Sequence, residues 1–279
     1  MAKFLAAAVQ MDTQEHKDQN LKRAEELIGE AADRGASLVA LPETFNFMGS
    51  PREEKANAEY IPGPTIQRMV ALAEKYKIWL HCGSILEKAP ETEKLYNTSV
   101  LLNPRGEIVA RYRKLHLFDV ELSGGPVSRE SKTREFGKSI VVTDTDLGRV
   151  GFSICYDLRF PELYRIMALE GAEMIFVPAA FTMHTGKDHW EPLLRARAIE
   201  NQCYIIAPGQ TGKKKTYTTY GKSMIVDPWG NVLGLAPEGE SVVVAEIDLN
   251  YLRRVREQIP SLKNRRPDIY QVGYAGRSL

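Results

Sequence analysis

The order of apolar and polar positions along the chain predicts alternating helices and strands. One helical stripe recurs at three- and four-residue spacing and ends before Gly35; its members are Leu21, Ala24, Leu27, Ile28, Ala31 and Ala32. Other helices are predicted near residues 65–77, 161–170, 189–202 and 249–258. Apolar runs with β-branched residues predict strands over 36–45, 78–85, 149–155, 174–178, 203–208, 223–226 and 242–247.

Turn residues separate the remaining segments. Asn103-Pro104-Arg105-Gly106 lies between two strand patterns, 95–102 and 107–112, and predicts a hairpin. The sequence contains no linker, internal repeat or low-complexity segment. A length of 279 residues with this alternation predicts one α/β domain over 1–279, in which helices cover a mixed sheet.

Cys155 lies at the end of a predicted buried strand, and Pro161 opens a helix a few residues later. A cysteine on such a strand-to-helix corner is held rigidly at the edge of the sheet, where nucleophiles are found. Because the thiol of free cysteine has a pKa of about 8.5, it needs a neighbouring base or cation to react at neutral pH. The alternative is a cysteine that only fills the core, since free cysteine is among the most buried residue types.

Two further strands end in residues that supply this chemistry. The strand from Ala36 runs through Pro42 into Glu43, and the strand from Gly106 ends at Lys114. Because the carboxyl ends of neighbouring strands in an open α/β sheet gather at one edge, we expect these side chains and Cys155 to surround one pocket. Glu43 is then the expected general base, Lys114 the cation and Cys155 the nucleophile.

With these segments in view, the sequence resembles the nitrilase superfamily of carbon–nitrogen hydrolases over about residues 4–270. The matching segments are Leu41-Pro42-Glu43, Tyr112 to Leu117, Ile154 to Glu162, His189-Trp190-Glu191, Arg195 to Gln202 and Asp227 to Gly230. The resemblance implies a four-layer αββα sandwich and a Glu–Lys–Cys triad at Glu43, Lys114 and Cys155. It also implies a homodimer or higher homo-oligomer formed through helices.

The loop after Lys114 offers two carboxylates, Glu121 and Glu130, for a second catalytic glutamate. The resemblance favours Glu130, which would steady Lys114 and the substrate. The glycines of this loop, Gly124 and Gly125, make it a candidate lid. When the thiol attacks an amide carbonyl, we expect Lys114 and the backbone N–H of Tyr156 to stabilise the oxyanion.

Within the superfamily, the sequence is most similar to the amidase branch whose members act on deaminated glutathione or on 2-oxoglutaramate. This similarity implies that a small linear carboxamide is hydrolysed to carboxylate and ammonia through a cysteinyl thioester, without a cofactor or metal. Deaminated glutathione is the expected substrate, and 2-oxoglutaramate is the alternative. The candidates for substrate contacts lie on two pocket loops, as a cationic or hydroxyl-rich rim: Arg129, Phe181, Thr182 and Thr185.

Composition disfavours several other functions. A formal net charge of +1 gives no electrostatic case for nucleic-acid or membrane-surface partners. No apolar run reaches the roughly 20 residues of a membrane span, and glycine-rich nucleotide motifs are absent. The cysteines Cys82, Cys155 and Cys203 are widely spaced and form no CxxC pair, which indicates neither a disulfide scaffold nor a zinc site. We therefore expect a cytoplasmic, reduced protein that binds a small amide.

Other interpretations of the same residues stay open. His184 and His189 could pair with Cys155, but their five-residue spacing disfavours a metal pair, and a structural role for His189 at a helix start is favoured. A catalytically silent binding protein would keep this fold without turnover, and a true nitrilase would share the triad.

Several charged residues have predicted structural roles. The residues expected to hold the Cys155 corner through buried ion pairs are Arg159, Arg195, Arg197 and Glu200. Asp157 either does the same or is solvated in the turn. The run Lys213-Lys214-Lys215 is predicted to be a solvated hairpin tip.

Overall fold

The computed structural model describes residues 3–121, 127–274 and 277–278. Its α-helices are α1 (Lys17–Asp33), α2 (Pro51–Asn57), α3 (Pro64–Tyr76), α4 (Pro161–Leu169), α5 (Met183–Asn201) and α6 (Leu249–Gln258). Its strands are β1 (Lys3–Gln10), β2 (Ala36–Ala40), β3 (Trp79–His81), β4 (Ile85–Glu87), β5 (Tyr96–Leu102), β6 (Ile108–Arg113), β7 (Asp119–Glu121), β8 (Val127–Arg129), β9 (Val142–Thr145), β10 (Gly148–Phe152), β11 (Met174–Phe176), β12 (Tyr204–Ala207), β13 (Thr211–Lys213), β14 (Thr218–Tyr220), β15 (Met224–Val226), β16 (Val232–Leu235), β17 (Ser241–Asp248), β18 (Gly273–Tyr274) and β19 (Arg277–Ser278). None of the described helices is long and apolar enough to cross a membrane.

Two mixed sheets form the centre of the fold. The first has the strand order β17-β1-β2-β3-β5-β4, with β6 also paired to β5, and the second has the order β16-β15-β12-β11-β10-β9. Strands β1, β2 and β3 run parallel to one another, as do β10, β11 and β12. The predicted hairpin between β5 and β6 is confirmed, as is the helix over 249–258.

Alternating side chains of β1 show how the layers are stacked. Ala6 packs in one core with Phe152 of the second sheet, and Leu194 of α5 belongs to the same core. Ala7 points the other way and packs in a second core with Leu27 of α1. The order is therefore helices, sheet, sheet, helices, which confirms the predicted four-layer αββα sandwich.

The predicted strand over 78–85 is divided into β3 and β4. Gly83 lies between them with φ of 42°, and a Cβ atom there would collide with the carbonyl oxygen of Pro42. The chain has to leave the extended conformation because the segment that carries Glu43 passes directly against it. A local apolar pattern contains no sign of this long-range contact.

Helix α5 begins at Met183, so the predicted helix start at His189 and the placement of Thr185 on a pocket loop are wrong. The Thr182 side chain caps the helix and accepts a hydrogen bond from the Thr185 N–H at 3.5 Å. Gly186 lies in the first turns of α5, where its lack of a side chain leaves room for the Tyr220 side chain. His184 and His189 both lie within the helix.

The lysine run lies on the hairpin formed by β13 and β14, as predicted, but Lys214 is not solvated. Its side chain is buried, and its Nζ lies 2.6 Å from Asp12 Oδ1 and 3.0 Å from the Thr13 carbonyl oxygen. Lys215 stays at the surface and pairs with Glu53 of α2 at 3.1 Å. The hairpin is thus attached to the body of the protein at both lysines.

Candidate active site

Cys155 stands three residues beyond the end of β10, on a sharp corner of the chain. Its φ of 50° lies in the left-handed region that residues other than glycine rarely adopt. Its N–H donates to the Pro178 carbonyl at 2.9 Å, and a 3-10 turn over Cys155–Arg159 leads to Pro161 at the start of α4. The predicted strand-to-helix corner is present, and such strained backbone concentrates at functional sites.

Asp157 holds this corner from inside the protein. Its Oδ1 accepts hydrogen bonds from the His116 N–H at 2.9 Å and the His116 ring Nδ1 at 2.7 Å. Its Oδ2 accepts from the Tyr112 hydroxyl at 2.7 Å and the Ile154 N–H at 2.8 Å. The carboxylate is completely buried, and these four bonds offset the cost of burying its charge. Asp157 thereby joins the Cys155 corner to the segment that follows Lys114.

Arg197 supports the corner from α5. Its Nε and Nη2 donate to the Leu158 carbonyl at 3.0 and 2.8 Å, and its Nη1 lies 2.9 Å from Glu200 Oε1. The Arg197 guanidinium is buried, so the prediction of an ion pair behind the corner is confirmed for this residue. It is wrong for Arg195, whose side chain is half exposed and pairs with Glu191 at the surface.

Glu43 and Lys114 form a buried ion pair, with Lys114 Nζ 3.1 Å from Glu43 Oε1. The Asn97 side chain donates to the same oxygen at 2.8 Å, and the Ala180 N–H donates to Glu43 Oε2 at 2.8 Å. The Gln210 side chain holds the Glu43 backbone carbonyl at 2.9 Å. These contacts fix both oxygens of the carboxylate in one orientation.

The structure distinguishes the two candidate second glutamates. Glu130 Oε2 lies 3.0 Å from Lys114 Nζ and accepts the Phe118 N–H at 2.6 Å, and the Glu130 side chain is only 15% exposed. Glu121 is 71% exposed and pairs with Arg129 at 2.9 Å. Glu130 therefore joins the Glu43–Lys114 pair, and Glu121 does not. The predicted lid glycines, Gly124 and Gly125, lie outside the described residues.

Burial and charge set the protonation of this cluster. Burial, followed by the charge of Glu43 and a hydrogen bond to it, raises the pKa of the Cys155 thiol well above its usual value, and Lys114 only partly offsets this. Burial alone would lower the pKa of Lys114, but Glu130 and Glu43 raise it well above its usual value. Burial would raise the pKa of Glu130, yet Lys114 holds it below its usual value. The resting site thus contains a neutral thiol beside a charged lysine.

Tyr156, the candidate oxyanion donor, is the second residue of the 3-10 turn that begins at Cys155. The first N–H groups of a helical turn have no acceptor within the turn, so the Tyr156 N–H is positioned to bind an external oxygen. The Tyr156 ring packs edge-on against Phe118 at 5.1 Å and against Phe160 at 5.4 Å between ring centres. These rings link the corner to the loop that carries Glu130.

The candidate rim residues have different surroundings. Arg129 is exposed and its guanidinium is occupied by Glu121 and the Val120 carbonyl. Thr182 and Thr185 are buried, and their hydroxyls lie 3.1 Å apart at the start of α5. Their hydroxyls already bond to each other, so a role in substrate binding stays a prediction.

Phe181 and the histidines also lie near the corner. Phe181 is buried against Trp190 at 5.1 Å between ring centres, and the Arg159 guanidinium lies 5.1 Å from the Phe181 ring. Arg159 Nη1 is 3.3 Å from His189 Nδ1. His189 therefore contacts the corner through Arg159.

Sequence reasoning missed Asn97, Gln210 and Tyr217. Asn97 and Gln210 orient Glu43 from positions 54 and 167 residues away in the chain. Tyr217 lies at the tip of the β13–β14 hairpin, where burial, followed by the charge of Glu43, raises the pKa of its phenol. In the sequence, such residues are visible only as polar positions in or beside strand patterns. Such a position does not indicate which distant residue it contacts.

This chain is similar to several known proteins. A family model described as carbon–nitrogen hydrolase matches residues 5–257. Deaminated glutathione amidase of Synechocystis is 45% identical over 269 residues, 95% of this chain and 99% of that protein. Omega-amidase NIT2 of Xenopus tropicalis is 43% identical over 273 residues, 98% of each chain.

A solved structure has the same fold. The crystal structure of Saccharomyces cerevisiae Nit3, described as a member of branch 10 of the nitrilase superfamily, superposes with a TM-score of 0.86 at 36% identity. The match covers 95% of this chain and 97% of that one. The resemblance seen in the sequence motifs is thus confirmed over nearly the whole chain, and this protein belongs to the carbon–nitrogen hydrolase family.

Proposed function

We propose that this chain is a cofactor-independent amidase in which Cys155 attacks the carbonyl carbon of a linear amide. The observation that carries the proposal is the buried Glu43–Lys114 pair, 3.1 Å apart, against the segment that also holds Cys155: Glu43 accepts the Ala180 N–H at 2.8 Å, and the Cys155 N–H donates to the Pro178 carbonyl at 2.9 Å. A base, a cation and a nucleophile in one buried cluster are the groups that covalent catalysis on an amide requires.

In the first step, Glu43 accepts the thiol proton while the Cys155 sulfur bonds to the carbonyl carbon. Because burial and Glu43 raise the pKa of the thiol, the resting nucleophile is protonated and the proton transfer accompanies the attack. The carbonyl electrons move to the oxygen, which Lys114 and the Tyr156 N–H stabilise. Losing one such donor typically costs about 3 kcal/mol of transition-state stabilisation.

In the second step, the carbon–nitrogen bond breaks and Glu43 returns the proton to the leaving nitrogen. The acyl group then remains on Cys155 as a thioester. Glu43 next removes a proton from water, the resulting hydroxide attacks the thioester, and the carboxylic acid leaves as the thiol regains its proton. Glu130 keeps Lys114 charged and oriented through each of these steps.

For the substrate, we infer a 2-oxo-acid amide, because the two relatives described above are named for deaminated glutathione and for an omega-amide. Both compounds present the same 2-oxoglutaryl group to the thiol. They differ in the leaving group, which is ammonia from 2-oxoglutaramate and cysteinylglycine from deaminated glutathione. The release of ammonia expected from the sequence therefore applies only to 2-oxoglutaramate. Selectivity between them therefore depends on contacts to the leaving group.

Deaminated glutathione is the favoured substrate, since the segments over 199–204 and 220–229 look more like that group of amidases. 2-Oxoglutaramate stays the second candidate, because the identities to the two relatives are nearly equal, 45% and 43%. Both reactions release 2-oxoglutarate, so one coupled assay measures kcat/KM for both. We expect the larger value for deaminated glutathione; a larger value for 2-oxoglutaramate would reassign the protein as an omega-amidase.

We further infer that the chain forms one hydrolase domain over 1–279 and assembles as a homodimer or higher homo-oligomer. Ile199 of α5 and Trp229, in the turn between β15 and β16, are half exposed and would be covered by such an interface. Light scattering on the purified protein tests this, and a monomer at micromolar concentration would refute it. The three free cysteines agree with a reducing cytoplasm, which cell fractionation would test.

A further inference from the structure

The short turn that carries Glu130 is closed by Arg134. The Arg134 N–H donates to the Glu130 carbonyl at 2.9 Å, and the Thr133 N–H donates to the same oxygen at 3.0 Å. Because the first of these bonds spans four residues, as in an α-helix, the side chains of Glu130 and Arg134 lie on the same face of the turn. The Arg134 guanidinium is therefore within reach of the carboxylate that pairs with Lys114.

Another carboxylate holds this guanidinium. Arg134 Nη2 lies 2.5 Å from Glu54 Oε2, and the exposed fractions of the two side chains are only 8% and 15%. Glu54 belongs to α2, 80 residues earlier in the chain. Among the described residues, Glu54 is the one carboxylate that pairs with Arg134. The helix α2 thus fixes where the charge of Arg134 lies.

Arg134 keeps one donor in reserve. Its Nη1 donates to the Thr133 hydroxyl at 2.9 Å, whereas its Nε is buried and has no hydrogen-bond partner within the part of the chain that the structure describes. A guanidinium can bind two carboxylates at once, because it carries five N–H donors in a planar fork. An unpaired buried charge is costly, so without the charge of Glu54 the guanidinium would turn to Glu130 in its own turn.

Such a shift would weaken the proposed general base. Lys114 Nζ is shared between Glu43 at 3.1 Å and Glu130 at 3.0 Å. Burial would raise the pKa of Glu130, but the charge of Lys114 lowers it, and the charge of Arg134 adds to this effect. If Arg134 takes the Glu130 carboxylate, the charge of Lys114 acts on Glu43 alone. Glu43 then accepts a proton less readily, because a nearby cation favours the ionised carboxylate.

We propose that Glu54 and Arg134 are positioning residues: Glu54 holds the Arg134 guanidinium on α2 and thereby leaves the Glu130 carboxylate to Lys114. The proposal rests on the proposed amidase function and deepens it, because it extends the site to a chain of alternating charges. In order, the members of this chain are Glu43, Lys114, Glu130, Arg134 and Glu54. The two outer residues act through Glu130 and Lys114.

The test compares Glu54→Gln with the double variant that also carries Arg134→Met. Glutamine keeps the shape of Glu54 and removes its charge, so a charged Arg134 is left without an anionic partner on α2. In the double variant, the charge of Arg134 is absent as well. Glu59→Gln is the matched control, because Glu59 forms a similarly buried ion pair with Lys17 that does not involve Glu130.

Alkylation of Cys155 by 2-chloroacetamide, followed by intact-mass spectrometry, measures the reactivity of the thiol. In this reaction the sulfur bonds to the methylene carbon, chloride leaves, and the thiol proton passes to Glu43. Because Cys82 and Cys203 are buried outside the pocket, a folded molecule takes up one label and an unfolded molecule takes up to three. The same spectra therefore give the labelling rate of folded molecules alone, and lower stability is not mistaken for slower chemistry.

We expect Glu54→Gln to slow the labelling of folded molecules about tenfold, the scale of loss that a displaced catalytic group produces. The double variant should be labelled within about threefold of the wild-type rate, because no cation then competes with Lys114 for Glu130. Glu59→Gln should leave the rate unchanged. A wild-type rate in Glu54→Gln overturns the proposal. So does a double variant that is no faster than Glu54→Gln, since the pair would then only stabilise the fold.

Steady-state kinetics on deaminated glutathione and 2-oxoglutaramate separate this proposal from the proposed function. Glu54→Gln should lower kcat about tenfold and change KM less than about twofold, and kcat should recover in the double variant. If the labelling rates behave as expected but wild type hydrolyses neither amide, the positioning role stands and the proposed substrate falls. If wild type hydrolyses an amide and Glu54→Gln is labelled at the wild-type rate, the proposed function stands and the positioning role falls.

Discussion

Replacing Asp157 by asparagine tests whether the buried carboxylate positions the nucleophile. In the wild type, four donors converge on its two oxygens, two on each. Asparagine has nearly the same shape, so the cavity stays filled. It retains one oxygen and places an NH₂ group where two donors now point.

The loss of unfolding free energy in Asp157→Asn follows from these four contacts. If the NH₂ replaces Oδ1, the His116 ring can shift its proton to the other nitrogen and accept, but the His116 N–H loses its acceptor. If it replaces Oδ2, the Tyr112 hydroxyl can turn and accept, but the Ile154 N–H is left unpaired. Either orientation leaves one buried backbone donor unsatisfied, so we expect a loss of about 1–3 kcal/mol in unfolding free energy.

The assay combines urea unfolding with kcat per folded molecule. Because the Ile154 N–H and the Cys155 corner move together, we expect kcat to fall at least tenfold while KM changes little. Asp227→Asn is the matched control, since Asp227 also binds turn N–H groups, those of Trp229 and Asn231, but lies in a turn away from the pocket. It should leave kcat unchanged.

Two results would refute this reasoning. Wild-type stability in Asp157→Asn would mean that the four donors find other partners. A destabilised variant with wild-type kcat would mean that the corner does not depend on this carboxylate.

Three further outcomes are expected. Cys155→Ala should retain the fold and lose turnover, so residual activity above about one thousandth of wild type would argue against a covalent mechanism. Cys82→Ala and Cys203→Ala should stay active, because both thiols are buried outside the Glu43–Lys114–Cys155 cluster and burial raises the pKa of Cys203 to about 12. Inactivation on labelling Cys82 alone would contradict the choice of Cys155 as the nucleophile. Glu130→Gln should be less stable than wild type at neutral pH, and the difference should shrink below about pH 4.5. The reason is that a carboxyl whose pKa is lowered on folding stabilises the protein only while it is ionised. Unfolding curves at several pH values measure this difference, and a pH-independent difference would contradict the pairing of Glu130 with Lys114.

The sequence predicted the parts of the site that depend on strand ends. Glu43, Lys114 and Cys155 each follow an apolar run, and residues after the strands of an α/β sheet share one edge. Two of these strands end earlier than predicted, at Ala40 and Phe152, and β6 ends at Arg113, one residue before Lys114. Glu43, Lys114 and Cys155 therefore lie just beyond the strands and not in them. The sequence predicted the order of the helix and sheet layers, because the motifs and the alternation of apolar and polar positions indicate the same fold.

The residues that orient the triad could not be predicted in this way. The Asn97 amide and the Ala180 N–H reach Glu43 across 54 and 137 residues of chain, and no periodic pattern encodes such contacts. Lys214 was predicted to be solvated because it lies in a run of lysines, yet Asp12, 202 residues away, pairs with it in a buried position. Local composition predicts exposure only when no distant partner is available.

The central claim is that the acyl group of an amide is transferred to Cys155. Rapid quenching of the wild-type enzyme with the 2-oxo-acid amide, followed by intact-mass spectrometry and peptide mapping, measures this directly. We expect an adduct with the mass of the acyl group on the peptide that contains Cys155, released by hydroxylamine as a thioester would be and absent in Cys155→Ala. Steady turnover with no adduct on Cys155 at any quench time, together with full activity in Cys155→Ala, would contradict it.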